Sequence, residues 1–272
     1  MNSLISIKNN SAYVHAIFLN CIEISFTVKH IIPIKRLSLL SILLSFLTAC
    51  SLDDPGPQMP DPIRSYFILY NYYTAPFDLE WEFEGYTLSK LHTYGETIIG
   101  YVNQDSAMQE ITFSIKNPNS DTLIQSGYFA VQENNYYMVT VMGREADPYV
   151  LFEPMDLNPP EFGKIKLRFV HTSADLGPVD IYIGGSTEEY RVASGLSYRG
   201  VSSYSETTLN EISDTLMVMP QNSIPGTDTV LITYNSISIF HPDRVYLGVI
   251  GHPDPSDTST VDLIFYNQPV EN

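Results

Sequence analysis

One pattern of short strands runs through this chain twice, and that repetition leaves few folds open to it. In the first copy, Ser65 to Tyr73, Leu79 to Phe83 and Ile111 to Ile115 are dense in β-branched and aromatic residues, and Tyr136 to Gly143 closes the pattern. Leu79, Trp81 and Phe83 alternate with Glu80 and Glu82, which gives that strand one apolar and one charged face. No stretch keeps a helical period beyond two turns, so the expectation is an all-β protein.

The second half answers the first. Tyr72 to Trp81 lines up with Val170 to Ile183: a strand, a turn with proline, an aspartate two residues on, then an alternating strand. Leu91 to Gly95 is answered by Leu196 to Gly200, Asp121 to Ile124 by Asp228 to Ile232, and Tyr137 to Gly143 by Val245 to Gly251. The spacing grows from 102 residues (Asp78 to Asp180) to 108 (Gly143 to Gly251), as loop insertions would make it. A period this long means duplicated domains, not a solenoid. The expected architecture is two tandem antiparallel β-sandwich domains of the immunoglobulin or transthyretin kind, at residues 64–158 and 161–272. The break falls at Asn158-Pro159-Pro160-Glu161-Phe162-Gly163.

Upstream lies a targeting segment, residues 1–49. Lys35-Arg36 precedes an apolar run from Leu37 to Phe46, followed by Leu47-Thr48-Ala49-Cys50. The run is too short for a membrane span, which needs about 20 residues. Leu47 to Cys50 resembles the lipobox of bacterial lipoproteins, which implies an acylated Cys50 as the membrane anchor. Residues 1–34 fit either an extended n-region or a start assigned too far upstream, and Asn9, Asn10, Cys21 and Glu23 favour the second. Residues 50–63 are rich in proline and glycine and read as a stiff tether. Ser51 resembles outer-membrane sorting signals, and Asp53-Asp54 the surface-export signals of Bacteroidetes lipoproteins. The expected location is the bacterial outer membrane, on its periplasmic or surface face.

Both cysteines, Cys21 and Cys50, lie before the strands, so the folded part has no disulfide, thiolate zinc site or thiol nucleophile. The formal net charge of −17 argues against a nucleic-acid partner, because nothing here would replace counterions along a phosphate backbone.

Lys166 to Ile183, which reads KLRFVHTSADLGPVDIYI, resembles the opening of the family known as domain of unknown function 4397. Members begin with a stretch like R-x-V-H-A-S-P-D-A-P-x-V-D-V-Y. The resemblance extends over most of residues 164–252. Residues 64–143 follow it more weakly, with Tyr73 or a neighbour where the family has histidine. The chain departs from the family at Leu176-Gly177, where proline is usual. The resemblance implies exported, often duplicated β-sandwich modules and no particular reaction.

Within that motif, His171, Asp175, Pro178 and Asp180 invite a metal or catalytic reading. Strand-end packing for His171 and turn stabilisation by the aspartates account for them more simply. No nucleophile elbow, His-Glu-x-x-His helix or phosphate-binding glycine loop occurs, so neither a catalytic residue, a metal site nor a cofactor is expected. Asp254, Asp257 and Asp262 read as a solvated loop sooner than a calcium site, since the D-x-D-x-D-G order is missing. The tyrosines at 66, 70, 72, 73, 136 and 137 would serve as core and inter-domain packing, or as a platform for a glycan or peptide. Asp-Ser/Thr-aliphatic triplets at Asp105, Asp121, Asp214 and Asp228 resemble Bacteroidetes O-glycosylation sites and also suit hairpin starts. The expectation is a non-catalytic envelope protein in a binding or structural role, touching the membrane through its lipid, with a glycan or an envelope protein as candidate partner. The alternative is an envelope-polymer hydrolase with two carboxyl groups about 5–10 Å apart across a cleft.

Overall fold

The computed structural model describes residues 63–234, 238–257 and 259–269, apart from the side chains of 213 and 214. Residues 1–49, the expected anchor Cys50 and nearly all of the expected tether lie outside that range. The strands of the first half are β1 (Arg64–Thr74), β2 (Leu79–Phe83), β3 (Tyr86–His92), β4 (Thr97–Asn103), β5 (Met108–Asn117), β6 (Thr122–Gln132), β7 (Tyr136–Arg144) and β8 (Asp147–Pro154). The second half has β9 (Lys164–His171), β10 (Val179–Ile183), β11 (Arg191–Leu196), β12 (Ser205–Thr208), a short helix α1 (Leu209–Asp214), β13 (Leu216–Pro220), β14 (Ile232–Thr233), β15 (Arg244–Gly251) and β16 (Asp262–Asn267).

These strands form four sheets in two matching pairs. The first half has orders β4-β1-β7-β8 and β3-β2-β5-β6; the second has β12-β9-β15-β16 and β11-β10-β13-β14. Each strand of the first set has a counterpart eight places on, so the repetition in sequence is a repetition of topology. Phe67, Leu69, Leu79, Trp81, Ile111, Phe113, Val139 and Val141 fill the space between the first two sheets. Ile165, Leu167, Phe169, Val179, Ile181, Val218, Tyr246 and Ile250 fill the second. Both halves are therefore two-layer sandwiches.

One pair in each sandwich departs from the antiparallel rule: β1 runs parallel to β7, and β9 parallel to β15. A parallel pair needs a long crossover, and here the intervening strands supply it by building the opposite sheet.

A tyrosine locks the entry to each of these crossover strands. Tyr137 Oη accepts the Gln132 N–H at 2.8 Å, and Tyr246 Oη accepts the His241 N–H at 2.7 Å, each five residues upstream. This is the tyrosine corner of immunoglobulin-type sandwiches. It shifts the sequence alignment by one position: Tyr137, Val139 and Val141 face the first core as Tyr246, Gly248 and Ile250 face the second.

The two sandwiches also share a third apolar layer. Ile68, Tyr70, Tyr72, Met138 and Met142 on the outer face of the first meet Val170, Leu247 and Val249 on the outer face of the second. The four strands β1, β7, β9 and β15 are thus buried on both sides, which explains their continuous apolar runs. Tyr70 Oη donates to Gln268 Oε1 at 2.8 Å, and Tyr72 Oη meets Tyr266 Oη at 2.6 Å. Burial pushes both phenols well above the ordinary tyrosine range. Ion pairs rim the layer: Arg144–Asp175, Arg199–Asp147 at 2.5 Å, Arg168–Glu153 at 3.1 Å and Lys166–Asp156 at 2.9 Å.

Replacing Tyr137 or Tyr246 by Phe strands a backbone N–H that its hydroxyl now satisfies. Each variant should lose about 1–2 kcal/mol of stability in urea titrations, with the m-value unchanged.

Candidate functional site

The motif residues singled out in the sequence are used by the fold. His171 ends β9 fully buried, with its Nδ1 accepting the Ser173 N–H at 3.3 Å. Its Nε2, assigned the proton by that bond, donates to the Gly177 carbonyl at 3.2 Å. Asn71 holds the same place in the first sandwich. Its Oδ1 accepts the Tyr73 N–H at 3.0 Å, and its Nδ2 donates to the His92 carbonyl at 2.6 Å. The carbonyls of Asn71 and His171 accept the N–H groups of Gly95 and Arg199. The counterpart of His171 is therefore Asn71, two residues before Tyr73, and both residues tie a strand end to the turn beyond it.

Asp180, also fully buried, accepts the N–H groups of Gly195 at 2.7 Å and Asn222 at 3.1 Å. It pins β10 to both neighbouring segments, and Arg191 lies 3.5 Å away. The strand frame pairs it with Glu80, the second residue of β2, since Val179 and Ile181 enter the second core as Leu79 and Trp81 enter the first. The Pro178 carbonyl accepts the Gln221 N–H. Asp175 behaves differently from the turn-capping role expected of it. Its carboxylate reaches Arg144 of the first sandwich and lies 3.8 Å from His252 Nε2. The turn carries it to the seam, where an arginine is a stronger partner than a local N–H.

His252 extends this seam. Its Nδ1 faces the Thr260 carbonyl at 2.7 Å, and Ser173 Oγ meets its Nε2 at 3.0 Å. Such a serine–histidine pair suggests a nucleophile, but Ser173 is fully buried and His252 nearly so. The pair fastens strand ends beneath the Arg144–Asp175 bridge. Among the described residues no group of three or more His, Cys, Asp or Glu is placed to hold a metal ion. Asp254 and Asp257 each accept the N–H and hydroxyl of a serine two residues on, the geometry of a solvated loop. No helix among the described residues is long and apolar enough to cross a membrane.

An open groove lies elsewhere, at one edge of the first sandwich. Phe83, Tyr86, Leu88, Tyr101, Val102 and Asn103 line a space of about 360 Å³ where β3 and β4 part. The local sequence explains the opening. Glu84 (φ 50°) and Gly85 (φ 75°) make a two-residue turn that starts β3, and bulges then bend β3 along β2. Leu88 reaches across into the space over Gly100, where a Cβ would lie 2.5 Å from Leu88 Cδ1. The opposite edge is shut, because Phe129 of β6 and Phe152 of β8 stack with centroids 4.1 Å apart.

Aromatic rings flank the groove. Tyr86 is 78% exposed and Tyr101 47%. Tyr101 lies 6.3 Å from Tyr66, which stacks on Tyr136 at 4.6 Å, and the Arg64 guanidinium sits 4.6 Å over the Tyr101 ring. Glu84 and Thr87 also line the space, and an apolar floor with aromatic walls and a few polar or charged groups is the usual form of a ligand site. The sequence reading passed over Tyr86, Tyr101 and Asn103. The uncharged run from Thr97 to Asn103 was the available signal.

Residues 77–182 match the family described as domain of unknown function (DUF4397). The resemblance seen in the sequence is to that family. The DUF4397 match runs from the lead into β2 through β8 and takes in the motif from Lys166 to Tyr182. It ends within β10, so the remainder of the stretch assigned to a second copy, up to residue 252, lies outside it. No curated protein matches the chain. Among solved structures, a family 26 carbohydrate-binding module from Eubacterium rectale Amy13K, crystallised with maltoheptaose, shares 7% identity. The likeness covers 76% of this chain and 98% of that one at a TM-score of 0.23, and neither fold nor ligand carries over at that level.

Burial holds His92 and His171 below the ordinary histidine value of 6.5, so the folded chain binds fewer protons than the unfolded one as pH falls through that value. Their contribution is complete above pH 6.5 and is lost on acidification. Thermal melts should therefore show a falling Tm below about pH 6. His171→Ala should cost about 2–3 kcal/mol, and His171→Asn less, because Asn71 already does this work in the first sandwich. The Asn variant should also flatten the acid limb of the pH profile.

Proposed function

We propose that the chain is a non-catalytic binding protein of the bacterial envelope, held to the outer membrane by lipid on Cys50, with the groove between β3 and β4 as its ligand seat. The observation that carries the reading is a contrast within one molecule. The buried polar residues of the family motif are consumed in tying strand ends, whereas the β3–β4 groove keeps exposed aromatic rings over an apolar floor. Exposed aromatics in such a setting are a standing cost unless something covers them. Acylation at Cys50, followed by the proline-rich sequence to residue 63, would hold the sandwiches off the membrane, as a display role requires. Candidate ligands are an envelope glycan or an envelope protein.

Cell fractionation and pull-down together test the reading. Cys50→Ser should move the folded protein from the membrane to the soluble fraction; a variant that stays in the membrane would refute the anchor. Tyr86→Ala and Tyr101→Ala should each weaken capture of the envelope partner about tenfold or more, near 1.4 kcal/mol, while leaving thermal stability unchanged. Undiminished capture by the double variant would refute the groove as the seat.

A further inference from the structure

We propose that β4 takes an extended segment of a partner polypeptide as an added strand, lengthening the sheet β4-β1-β7-β8 and seating the segment's inward side chains in the groove. This rests on the binding role above and names its ligand class. β4 ends its sheet, with β1 on one side and no strand among the described residues on the other. Its residues, Thr97 to Asn103, include no charge and no proline. Such an edge is a template for pairing, and proteins ordinarily blunt it with shortness, charge, proline or a bulge.

The second sandwich does blunt its own copy of this edge. There β12 has four residues, carries Glu206, and runs directly into α1 through a capping box at Thr208. The Glu206 carboxylate also takes the Glu161 N–H, which draws the linker alongside. β3, the other strand at the open edge, carries Lys90 and is bent by bulges. β4 has none of these guards over seven residues.

On the closed side of the sandwich Phe152 caps the core by stacking on Phe129 and Tyr137. On the open side no ring does so, and Ile98 and Val102 stay only half-buried over Leu88. An added strand would place alternate side chains there, doing for this edge what Phe152 does for the other. A bound glycan lacks the regular N–H and C=O repeat that would complete the β4 ladder. A second copy of this chain would bring together two bodies of formal charge −17, which opposes self-pairing. The fitting occupant is a partner strand with apolar residues inward and lysine or arginine outward.

Hydrogen exchange on the full-length chain in detergent micelles tests this. The probe is a peptide of about nine residues, alternating Val and Thr with lysines at its ends. It should slow exchange of β4 amides about tenfold and leave β12 amides unchanged. The same peptide N-methylated at alternate residues should give no protection, since its ladder donors are gone. Val102→Lys, which points a charge into the groove, should abolish protection while β1 and β7 keep theirs. Equal protection by the methylated peptide, or none at β4, would overturn the proposal. So would β4 protection that grows with protein concentration alone, which would make a second copy the occupant. If β4 stays unprotected while Tyr86→Ala still abolishes capture of an envelope glycan, the strand proposal fails and the binding role stands.

Discussion

The apolar seam between the sandwiches is the contact on which the rest of the structure depends. Tyr70, Tyr72, Met138 and Met142 would be a bare hydrophobic face on the first sandwich alone, as Val170, Leu247 and Val249 would be on the second. Meeting each other, they turn β1, β7, β9 and β15 into strands with core on both sides. The ring of Arg144, Arg199, Arg168 and Lys166 with their carboxylates fixes the register of that meeting. The Arg144–Asp175 pair is exposed and adds little to stability by itself, whereas the cations of Lys166–Asp156 and Arg168–Glu153 are largely buried and need their carboxylates.

The seam also explains why the family motif is polar. A strand that ends at an interface must satisfy its last backbone groups away from water. His171, Ser173, Thr172 and His252 do this on one side of the seam, and Asn71, Tyr94 and Thr74 on the other. Asparagine and histidine exchange at the same position because each offers an acceptor and a donor at about the same reach. The histidine brings a titration that the asparagine lacks.

Freed from that duty, the far edge of the first sandwich has diverged from its copy. The second sandwich closes with a four-residue β12 and a capped helix; the first keeps a seven-residue edge and a groove. Duplication lets one module hold the scaffold while the other presents a surface, and the edge strands are where that difference falls.

Alternation and strand-forming residues were enough to read an all-β chain, its duplication, Trp81 as core and the tyrosine-rich strand as packing, because side-chain period and burial are local properties. The sequence also carried Cys50 and its surroundings, a lipobox resemblance that is read without a fold. It could not reveal that β1 pairs parallel with β7, that Asn71 answers His171, or that Asp175 crosses to Arg144. Those facts depend on which strand ends meet in space, and residues 31 or 100 apart carry no local mark of their meeting. The groove belongs to the same class. Tyr86 and Tyr101 read as ordinary strand residues until the bend of β3 and the edge of β4 set them around one open space.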